Sequence, residues 1–316
     1  MAATTTILQD VSDTARWAAV FRVGETERPD ALFRDPFASR LAGPRGFEIA
    51  RALSNETHAT SWVIRTYLFD QLIAREIEAG VDVVVNLGAG LDARPYRMEL
   101  PSSLQWIEAD GAEILRYKDD VLRGERPRCR LERVALDLCD RSRRSAFFRD
   151  LNLRGNKILI LCEGVLIYFQ PEETAALAGE LAGHTHFERW ILEVVSPAVL
   201  DTMNRTAGDH ANAAGISFQF GPPEGPAFFG PHGWGLVEGH SVLKTAIRIG
   251  RTPLPAHLHQ LMPDVPAGGQ NSVPWVGVCL FNSRKGIPAP RSDSPRPGLS
   301  GSGDGRIPHP PSCEDN

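Results

Sequence analysis

The stretch from Val81 to Arg94 constrains the fold more than any other part of the chain. Its β-branched apolar residues predict a buried parallel strand over 82–87. Gly88 and Gly90 follow, and they predict a tight turn in which a ligand can approach the backbone closely. Asp92 and Arg94 make this turn polar where the strand is apolar. The stretch therefore predicts a ligand-binding turn at the end of a core strand.

Strand and helix patterns alternate after this point and predict an α/β fold: a doubly wound, mostly parallel, seven-stranded sheet of the Rossmann-like type. The remaining predicted strands are 104–109, 131–136, 157–163, 190–195, near 235–248 and 275–282. The predicted helices of this part are 112–122, 141–150 and 172–183. We expect the last two strands to form an antiparallel pair at one edge of the sheet.

The chain divides into three predicted parts. Residues 1–80 form an N-terminal helical cap, with helices over 10–23, capped by Ser12 or Asp13, and over 61–79, ended by Gly80. Residues 81–285 form the core, with a lid-like insert at 196–234 that is rich in Gly, Pro and Phe. Residues 286–316 are dominated by Pro, Ser and Gly and predict a disordered tail.

Composition excludes several classes of function. The 316 residues carry a net charge of −5 with a pI near 6.0, so there is no general electrostatic reason to bind nucleic acid or an anionic membrane. Neither a membrane-spanning apolar run nor a signal peptide is predicted. Five scattered cysteines predict neither disulfides nor a zinc site, and they fit the reducing cytoplasm. The paired histidines at 184/186 and 257/259 lack a third clustered ligand, so no metal is expected.

Ligands in open α/β sheets bind beyond the carboxyl ends of the strands, and polar residues follow four of the predicted strands. After the glycine turn come Asp110, Asp137-Leu138 and Glu163. An ionised carboxylate only accepts hydrogen bonds, so Asp110 suits the two hydroxyls of a ribose. Asp137 suits an exocyclic amine such as that of adenine, with the Leu138 amide donating to a ring nitrogen.

The residues Gly88-x-Gly90-x-x-Ala93 also fit the dinucleotide fingerprint, which keeps an NAD-dependent oxidoreductase as an alternative. Two residues count against it. Asp92 would place a carboxylate beside a pyrophosphate, and Pro95 puts the helix start too far from the glycines to meet phosphates. A cationic ligand without phosphate, such as S-adenosylmethionine, suits the turn better. Hydrolase and P-loop motifs are absent from the sequence.

The chain resembles the leucine carboxyl methyltransferase family of S-adenosylmethionine-dependent enzymes, and within it a bacterial branch of O-methyltransferases, some of which act on polyketide-type small molecules. The resemblance runs from about Thr14 to Asn282. It rests on Arg28-Pro29-Asp30-Ala31-Leu32-Phe33 with Asp35-Pro36-Phe37-Ala38, on Arg65-Thr66, on Asn86-Leu87-Gly88-Ala89-Gly90-Leu91-Asp92-Ala93-Arg94, on Asp137-Leu138 and on Glu163-Gly164-Val165-Leu166-Ile167-Tyr168-Phe169. Its first block and its insert differ from members that act on protein phosphatases, which argues against a phosphatase substrate.

The resemblance implies a class I methyltransferase fold and a set of roles toward S-adenosylmethionine. Arg65 would bind the carboxylate of the methionine part, Glu163 its ammonium, and Gly88 and Gly90 would line it. Asp110 would hold the ribose, and Asp137 with Leu138 the adenine. The family also uses a basic residue of the first helix, and Arg16 and Arg22 both compete for that role.

The expected reaction is the O-methylation of a carboxyl or hydroxyl group on a small molecule. A carboxylate acceptor needs no general base, whereas a phenol could use one, such as His184, His210, His232 or His240. The sequence does not choose among these histidines, and it leaves the oligomeric state open. A catalytically inactive protein that keeps the cofactor pocket is a further alternative.

Overall fold

A computed structural model describes residues 8, 10–54, 56–206, 216–266 and 273–284. The predicted tail at 286–316 and residues 207–215 of the predicted insert lie outside the described residues. Seven strands are described: β1 Val83–Leu87, β2 Gln105–Asp110, β3 Arg130–Ala135, β4 Ile158–Cys162, β5 Phe187–Val195, β6 Trp234–Ser241 and β7 Val276–Ser283. The described α-helices are α1 Val11–Thr26, α2 Ala38–Leu53, α3 Glu56–Glu78, α4 Arg94–Arg97, α5 Ala112–Val121, α6 Arg141–Leu151, α7 Pro171–Ala182, α8 Pro197–Thr206 and α9 Val242–Arg248.

The strands form a single sheet in the order β3-β2-β1-β4-β5-β7-β6. The first five strands of that order run parallel, while β7 pairs antiparallel with both of its neighbours. This confirms the predicted seven-stranded, mostly parallel sheet with an antiparallel pair at one edge. Successive strands are added toward one side of the sheet up to β3 and toward the other side from β4 onward. The switch point between β1 and β4 is where such folds bind ligands.

The two central strands are buried because helices cover both faces of the sheet. Every residue of β1 and β4 is buried, as expected for parallel strands with helices on either side. One core cluster packs the sheet against α6 and α7, and another packs the opposite face against α3 and α9. The sheet is thereby fixed between two helical layers, and its carboxyl edge is held in a rigid frame.

The N-terminal helices depart from the sequence prediction in their ends. The cap of α1 is Asp10 rather than Ser12 or Asp13, because the Asp10 carboxylate accepts hydrogen bonds from both of those backbone amides. Helix α3 begins at Glu56, five residues earlier than predicted, and its end at Gly80 is confirmed by the positive φ of 93° there.

The prediction of a strand near 235–248 is wrong for the second half of that segment. Strand β6 ends at Ser241, and Val242–Arg248 is helix α9. The Ser241 hydroxyl accepts a hydrogen bond from the backbone amide of Lys244, and this cap starts a helix where the apolar pattern alone favours an extended chain.

Most of the aromatic residues of the predicted insert belong to the core. Phe220, Phe229 and Trp234 are buried and pack with β5 and β7, and Phe228 packs against the same cluster. The Trp234 indole donates a hydrogen bond of 2.9 Å to the carbonyl of Ala178 in α7. Phe218 instead packs 5.8 Å from the Tyr168 ring, near the carboxyl edge of the sheet. The phenylalanine-rich pattern of the insert therefore reflects packing in the core.

Within the described ranges, no helix has the length and apolar character needed to cross a membrane. The four described cysteines, Cys129, Cys139, Cys162 and Cys279, are free thiols, and Cys313 lies outside the described residues. Three of the four are buried, as expected of ordinary core thiols.

Truncation of one buried side chain in a central strand tests the core. Leu159 in β4 is fully buried between the sheet and α3, so Leu159→Ala is expected to lower the free energy of unfolding by about 3 kcal/mol through lost burial and the cavity left behind. Leu153→Ala, at a side chain that is 85% exposed, is the control and should change it by less than about 0.5 kcal/mol. Urea denaturation measures both, and equal effects would contradict the assignment of the core.

Candidate functional site

The glycine turn lies at the carboxyl end of β1 and needs glycine for two separate reasons. Gly88 has a φ of 67° and Gly90 a φ of 45°, in the left-handed region. A Cβ atom on Gly88 would also come within 2.7 Å of the Val165 side chain, which follows β4. The Gly88 amide donates to the carbonyl of Ala109 in β2 at 2.9 Å. The turn is therefore packed between the carboxyl ends of β2 and β4.

Asp110 is the last residue of β2, and its carboxylate is directed at the glycine turn. One oxygen accepts a hydrogen bond from the Gly90 amide and the other from the Gly111 amide, each at 2.6 Å. Burial raises the pKa of this carboxyl above its ordinary value. Because an ionised carboxylate can accept about four hydrogen bonds, each oxygen retains room for a further donor.

Asp137 and Leu138 continue the same edge beyond β3. The Leu136 amide donates to the Asp110 carbonyl at 2.9 Å, which places these residues beside Asp110. Asp137 is exposed and accepts from the Cys139 amide at 2.8 Å. Leu138 is buried, and its carbonyl accepts from Arg144 at 2.7 Å.

Arg94 is the centre of a buried ion network behind the glycine turn. Its guanidinium, only 2% exposed, contacts Asp70 at 2.6 Å, Asp92 at 2.9 Å and Glu163 at 2.7 Å. Asp70 also accepts from Arg97 at 2.7 Å. The network thus joins α3, the glycine turn and the residue after β4.

Asp92 is ionised in this setting. Burial acts to raise its pKa, but the positive charges of Arg94 and Lys118 outweigh burial and bring the pKa down to about 2. Its second oxygen accepts from the Arg94 backbone amide at 2.8 Å. Asp92 is therefore both a turn residue and a partner of the arginine, which explains why an acid stands at this position.

Arg65 in α3 connects Glu163 to a second acid. Its Nε donates to Glu163 at 3.1 Å, and its Nη1 donates to Glu193 of β5 at 2.9 Å. Its guanidinium lies 5.0 Å from the centre of the Trp62 ring. No described residue accepts a hydrogen bond from its Nη2, so this nitrogen keeps two donors for a ligand.

Glu193 is the site residue that the sequence reasoning missed. Its side chain is 10% exposed, and burial raises its pKa, partly offset by Arg65. The signal was present in the sequence, because a glutamate interrupts the apolar run of β5 between Leu192 and Val194. A charged residue inside a strand of this kind needs a partner or a function.

The structure separates the two candidate arginines of α1. Arg22 is held at 2.8 Å by Asp35 and donates to the Leu91 carbonyl of the glycine turn at 2.7 Å. Arg16 instead lies with its guanidinium 3.7 Å from the centre of the Tyr117 ring, and no hydrogen bond from it is described. Arg22 therefore holds the cap against the turn, and Arg16 is the one left with donors for a ligand.

A cavity of about 280 Å³ opens between α1, α2 and α5. It is lined by Asp10, Ser12, Asp13, Arg16, Arg45, Glu113, Ile114 and Tyr117. Its residues Glu113, Ile114 and Tyr117 belong to α5, the helix that follows Asp110 in the chain. A Cβ atom on Gly90 would lie 3.3 Å from the Ala15 side chain, so α1 covers the glycine turn directly.

Within the described part of the chain, no hydrogen bond or ring contact joins a candidate histidine to these residues. His184 packs 5.0 Å from Phe187, at the amino end of β5, which is the opposite edge of the sheet. His232 packs on Phe228, and His240 bonds to Glu238. His210 is outside the described residues. Among the residues described, no cluster of three or more His, Cys, Asp or Glu is suited to a metal ion.

Six of the seven predicted binding residues therefore lie along one edge of the sheet, from Asp137 and Leu138 beyond β3 to Glu163 beyond β4, and the seventh, Arg65, reaches this edge from α3 through its bond to Glu163. With the sheet order, this edge defines the class I methyltransferase type of α/β fold. A solved structure of a DUF574 family protein from Streptomyces avermitilis has the same fold, with a TM-score of 0.54, 15% identity, and coverage of 85% of this chain and 97% of that one.

The family model for leucine carboxyl methyltransferases matches residues 15–182. The chain is 32% identical over 255 residues to a Streptomyces avermitilis protein, covering 75% of this chain and 87% of that one. It is 33% identical over 265 residues to a Streptomyces coelicolor protein, covering 77% and 90%. Both carry the name "Putative S-adenosyl-L-methionine-dependent methyltransferase". The chain belongs to the leucine carboxyl methyltransferase family, which confirms the resemblance found in the sequence.

The salt bridge between α1 and the segment before α2 can be tested by removing one partner. The Asp35 side chain is fully buried and that of Arg22 is 11% exposed, so Arg22→Met leaves a buried carboxylate without its cation. We expect a loss of about 3 kcal/mol in the free energy of unfolding, measured by urea denaturation. Arg123→Met, at an 81% exposed side chain, is the control and should be close to neutral.

The low pKa of Asp92 predicts a dependence of stability on pH. A carboxyl with a folded pKa of about 2 against 3.8 ordinarily stabilises the folded protein above about pH 4, by about 2 kcal/mol, and loses this contribution as the pH falls toward 2. Asp92→Asn should therefore show a smaller loss of stability than the wild type between pH 5 and about pH 2. Identical pH profiles of the two proteins in urea denaturation would contradict the assigned ionisation.

Proposed function

We propose that this protein transfers a methyl group from S-adenosylmethionine to a carboxyl or hydroxyl oxygen of a small molecule. The observation that carries the proposal is the row of groups along one sheet edge: the glycine turn, Asp110, Asp137 with Leu138, and Glu163 with Arg65. Each suits one part of the cofactor, in the order adenine, ribose and methionine from β3 to β4. Family membership and the names of the relatives support the same reaction class.

The residues present fit this cofactor in their charge as well as in their order. The buried network consists of four carboxylates and three guanidiniums, so one negative charge is left over. They are Asp70, Asp92, Glu163 and Glu193, with Arg65, Arg94 and Arg97. S-adenosylmethionine carries an ammonium, a carboxylate and a sulfonium, and thus one net positive charge. This network complements that charge, and Asp110 adds a further negative charge, so the site would repel a pyrophosphate.

The cofactor, when bound, supplies a methyl group on a positively charged sulfur that an oxygen nucleophile can displace directly. The protein's task is to align the two partners and to exclude water. Asp110 holds the ribose, and the Leu138 amide and Asp137 hold adenine. Arg65 and Glu163, fixed by their ion pair, hold the carboxylate and the ammonium. Helix α1 covers part of the glycine turn.

Calorimetric titration tests the cofactor. We expect S-adenosylmethionine and S-adenosylhomocysteine to bind and NAD not to bind. Asp110→Asn should weaken S-adenosylhomocysteine binding by roughly ten-fold or more, because a charge-assisted bond to the ribose is lost. Asp120→Asn, in the helix α5 that follows Asp110 and at a 67% exposed side chain, is the matched control and should leave the affinity unchanged.

The outcomes separate the competing functions. Binding of NAD alone would replace the proposal with the oxidoreductase alternative, and unchanged affinity in Asp110→Asn would remove the assigned ribose site. Binding of S-adenosylmethionine without turnover of any acceptor would favour the inactive binding protein. Retained melting temperature in Asp110→Asn shows that the fold survives the change.

A further inference from the structure

Glu193 is a buried acid that the cofactor roles do not use. It stands one strand beyond Glu163, on β5, and both of its oxygens accept from Arg65, at 2.9 and 3.2 Å. The Gly164 amide also donates to its carboxylate. Two carboxylates, Glu163 and Glu193, therefore share one guanidinium at the carboxyl ends of β4 and β5.

The position of Glu193 in the sheet indicates a role toward the acceptor rather than toward the cofactor. A cofactor spread from Asp137 beyond β3 to Glu163 beyond β4 occupies the ends of β3, β2, β1 and β4 in that order. The next strand is β5, so Glu193 would lie beside the methionine part of the cofactor, on the one parallel strand whose end the cofactor does not cover. A group placed there meets the incoming nucleophile.

Aromatic side chains lie beside Arg65 and just beyond the end of β4. Trp62 packs on Arg65, and Tyr168 packs on Phe218 with a ring separation of 5.8 Å. Trp62 also contacts Trp17 and Phe21, each at a ring separation of 5.2 Å. Trp62 and Tyr168 are only partly buried. The surroundings of Arg65 and Glu193 on this side are therefore aromatic and apolar, which favours an aromatic or apolar acceptor over a polar one.

Resting on the proposed methyltransferase function, we infer that the acceptor is an uncharged hydroxyl on an aromatic or apolar molecule, and that Glu193 accepts its proton. As the oxygen–methyl bond forms and the sulfur–methyl bond breaks, the hydroxyl proton passes to the Glu193 carboxylate. The sulfonium becomes a neutral thioether, and the acceptor leaves as a methyl ether. No oxidant or further reactant is needed.

The charges favour a hydroxyl over a carboxylate acceptor. With the cofactor bound, the buried network and its ligand sum to zero, and a neutral hydroxyl keeps that sum at zero before and after transfer. A carboxylate would instead add an uncompensated negative charge beside Glu163 and Glu193. Uncompensated charge in a buried site is costly, so the network selects against it.

The ionisation of Glu193 predicts how acceptor binding depends on pH. Burial raises its pKa, while Arg65 lowers it and the neighbouring Glu163 raises it again. The other groups that face it are the Tyr168 hydroxyl and the Gly164 amide; Val278 of β7 is apolar, and His240 beyond it bonds to Glu238. A raised pKa makes the carboxylate a better proton acceptor, and protonation at low pH removes its ability to accept a bond.

A pair of matched probes tests the inference by binding rather than turnover. 2-Naphthol and 2-naphthoate share one ring system and differ in the group offered to the site. Each is titrated calorimetrically into protein saturated with S-adenosylhomocysteine. We expect naphthol to bind at least about ten-fold more tightly than naphthoate, and its affinity to fall as the pH is lowered toward the pKa of Glu193.

Two variants make the test specific. Glu193→Gln should remove the preference for naphthol and its pH dependence, while Glu193→Asp, which keeps the charge, should retain part of both. Glu188→Gln, near the other end of β5, is the control and should bind as the wild type does. The wild-type comparison of the two probes stands even where a variant fails to fold.

The inference is overturned if naphthoate binds as tightly as naphthol, if neither probe binds the saturated protein, or if Glu193→Gln binds naphthol as the wild type does. These outcomes leave the cofactor proposal intact, because S-adenosylhomocysteine is already bound. Failure of S-adenosylhomocysteine itself to bind overturns both proposals.

Discussion

The buried guanidinium of Arg94 is the interaction on which the site depends. It contacts carboxylates from α3, from the glycine turn and from the residue after β4, so three separate parts of the chain must be in place together. Removing one partner of such a network leaves the other charges unpaired in a low-dielectric interior. The fixed positions of Asp92 and Glu163 follow from this arginine, and the conformation of the turn between β1 and α4 follows from both.

The N-terminal cap also helps to hold the glycine turn in place. Arg22 reaches from α1 to a carbonyl of the glycine turn, and Ala15 lies against Gly90. The block around Asp35 that marks the family in sequence thus has a physical role, because Asp35 orients Arg22. Helix α1 therefore contacts the glycine turn through both Ala15 and Arg22.

Much of the fold could be predicted because the strands carry their signal locally: the Val83–Val85 run and the polar residue after each parallel strand place four ligand positions without any tertiary information. The misassigned segment after Ser241 shows the limit, since one hydroxyl cap decides between strand and helix there. The pairing of Glu193 with Arg65 could not be predicted, because it joins residues 128 positions apart. The choice between Arg16 and Arg22 likewise needed the fold.

The most direct test of the account is a crystal structure of the protein with S-adenosylhomocysteine. The account predicts adenosine across the ends of β2 and β3, with Asp110 on the ribose hydroxyls and Asp137 with the Leu138 amide on adenine. The homocysteine part should lie on the glycine turn, with its carboxylate at Arg65 and its ammonium at Glu163. Density for the ligand in any other place, or a ribose without contact to Asp110, would contradict it.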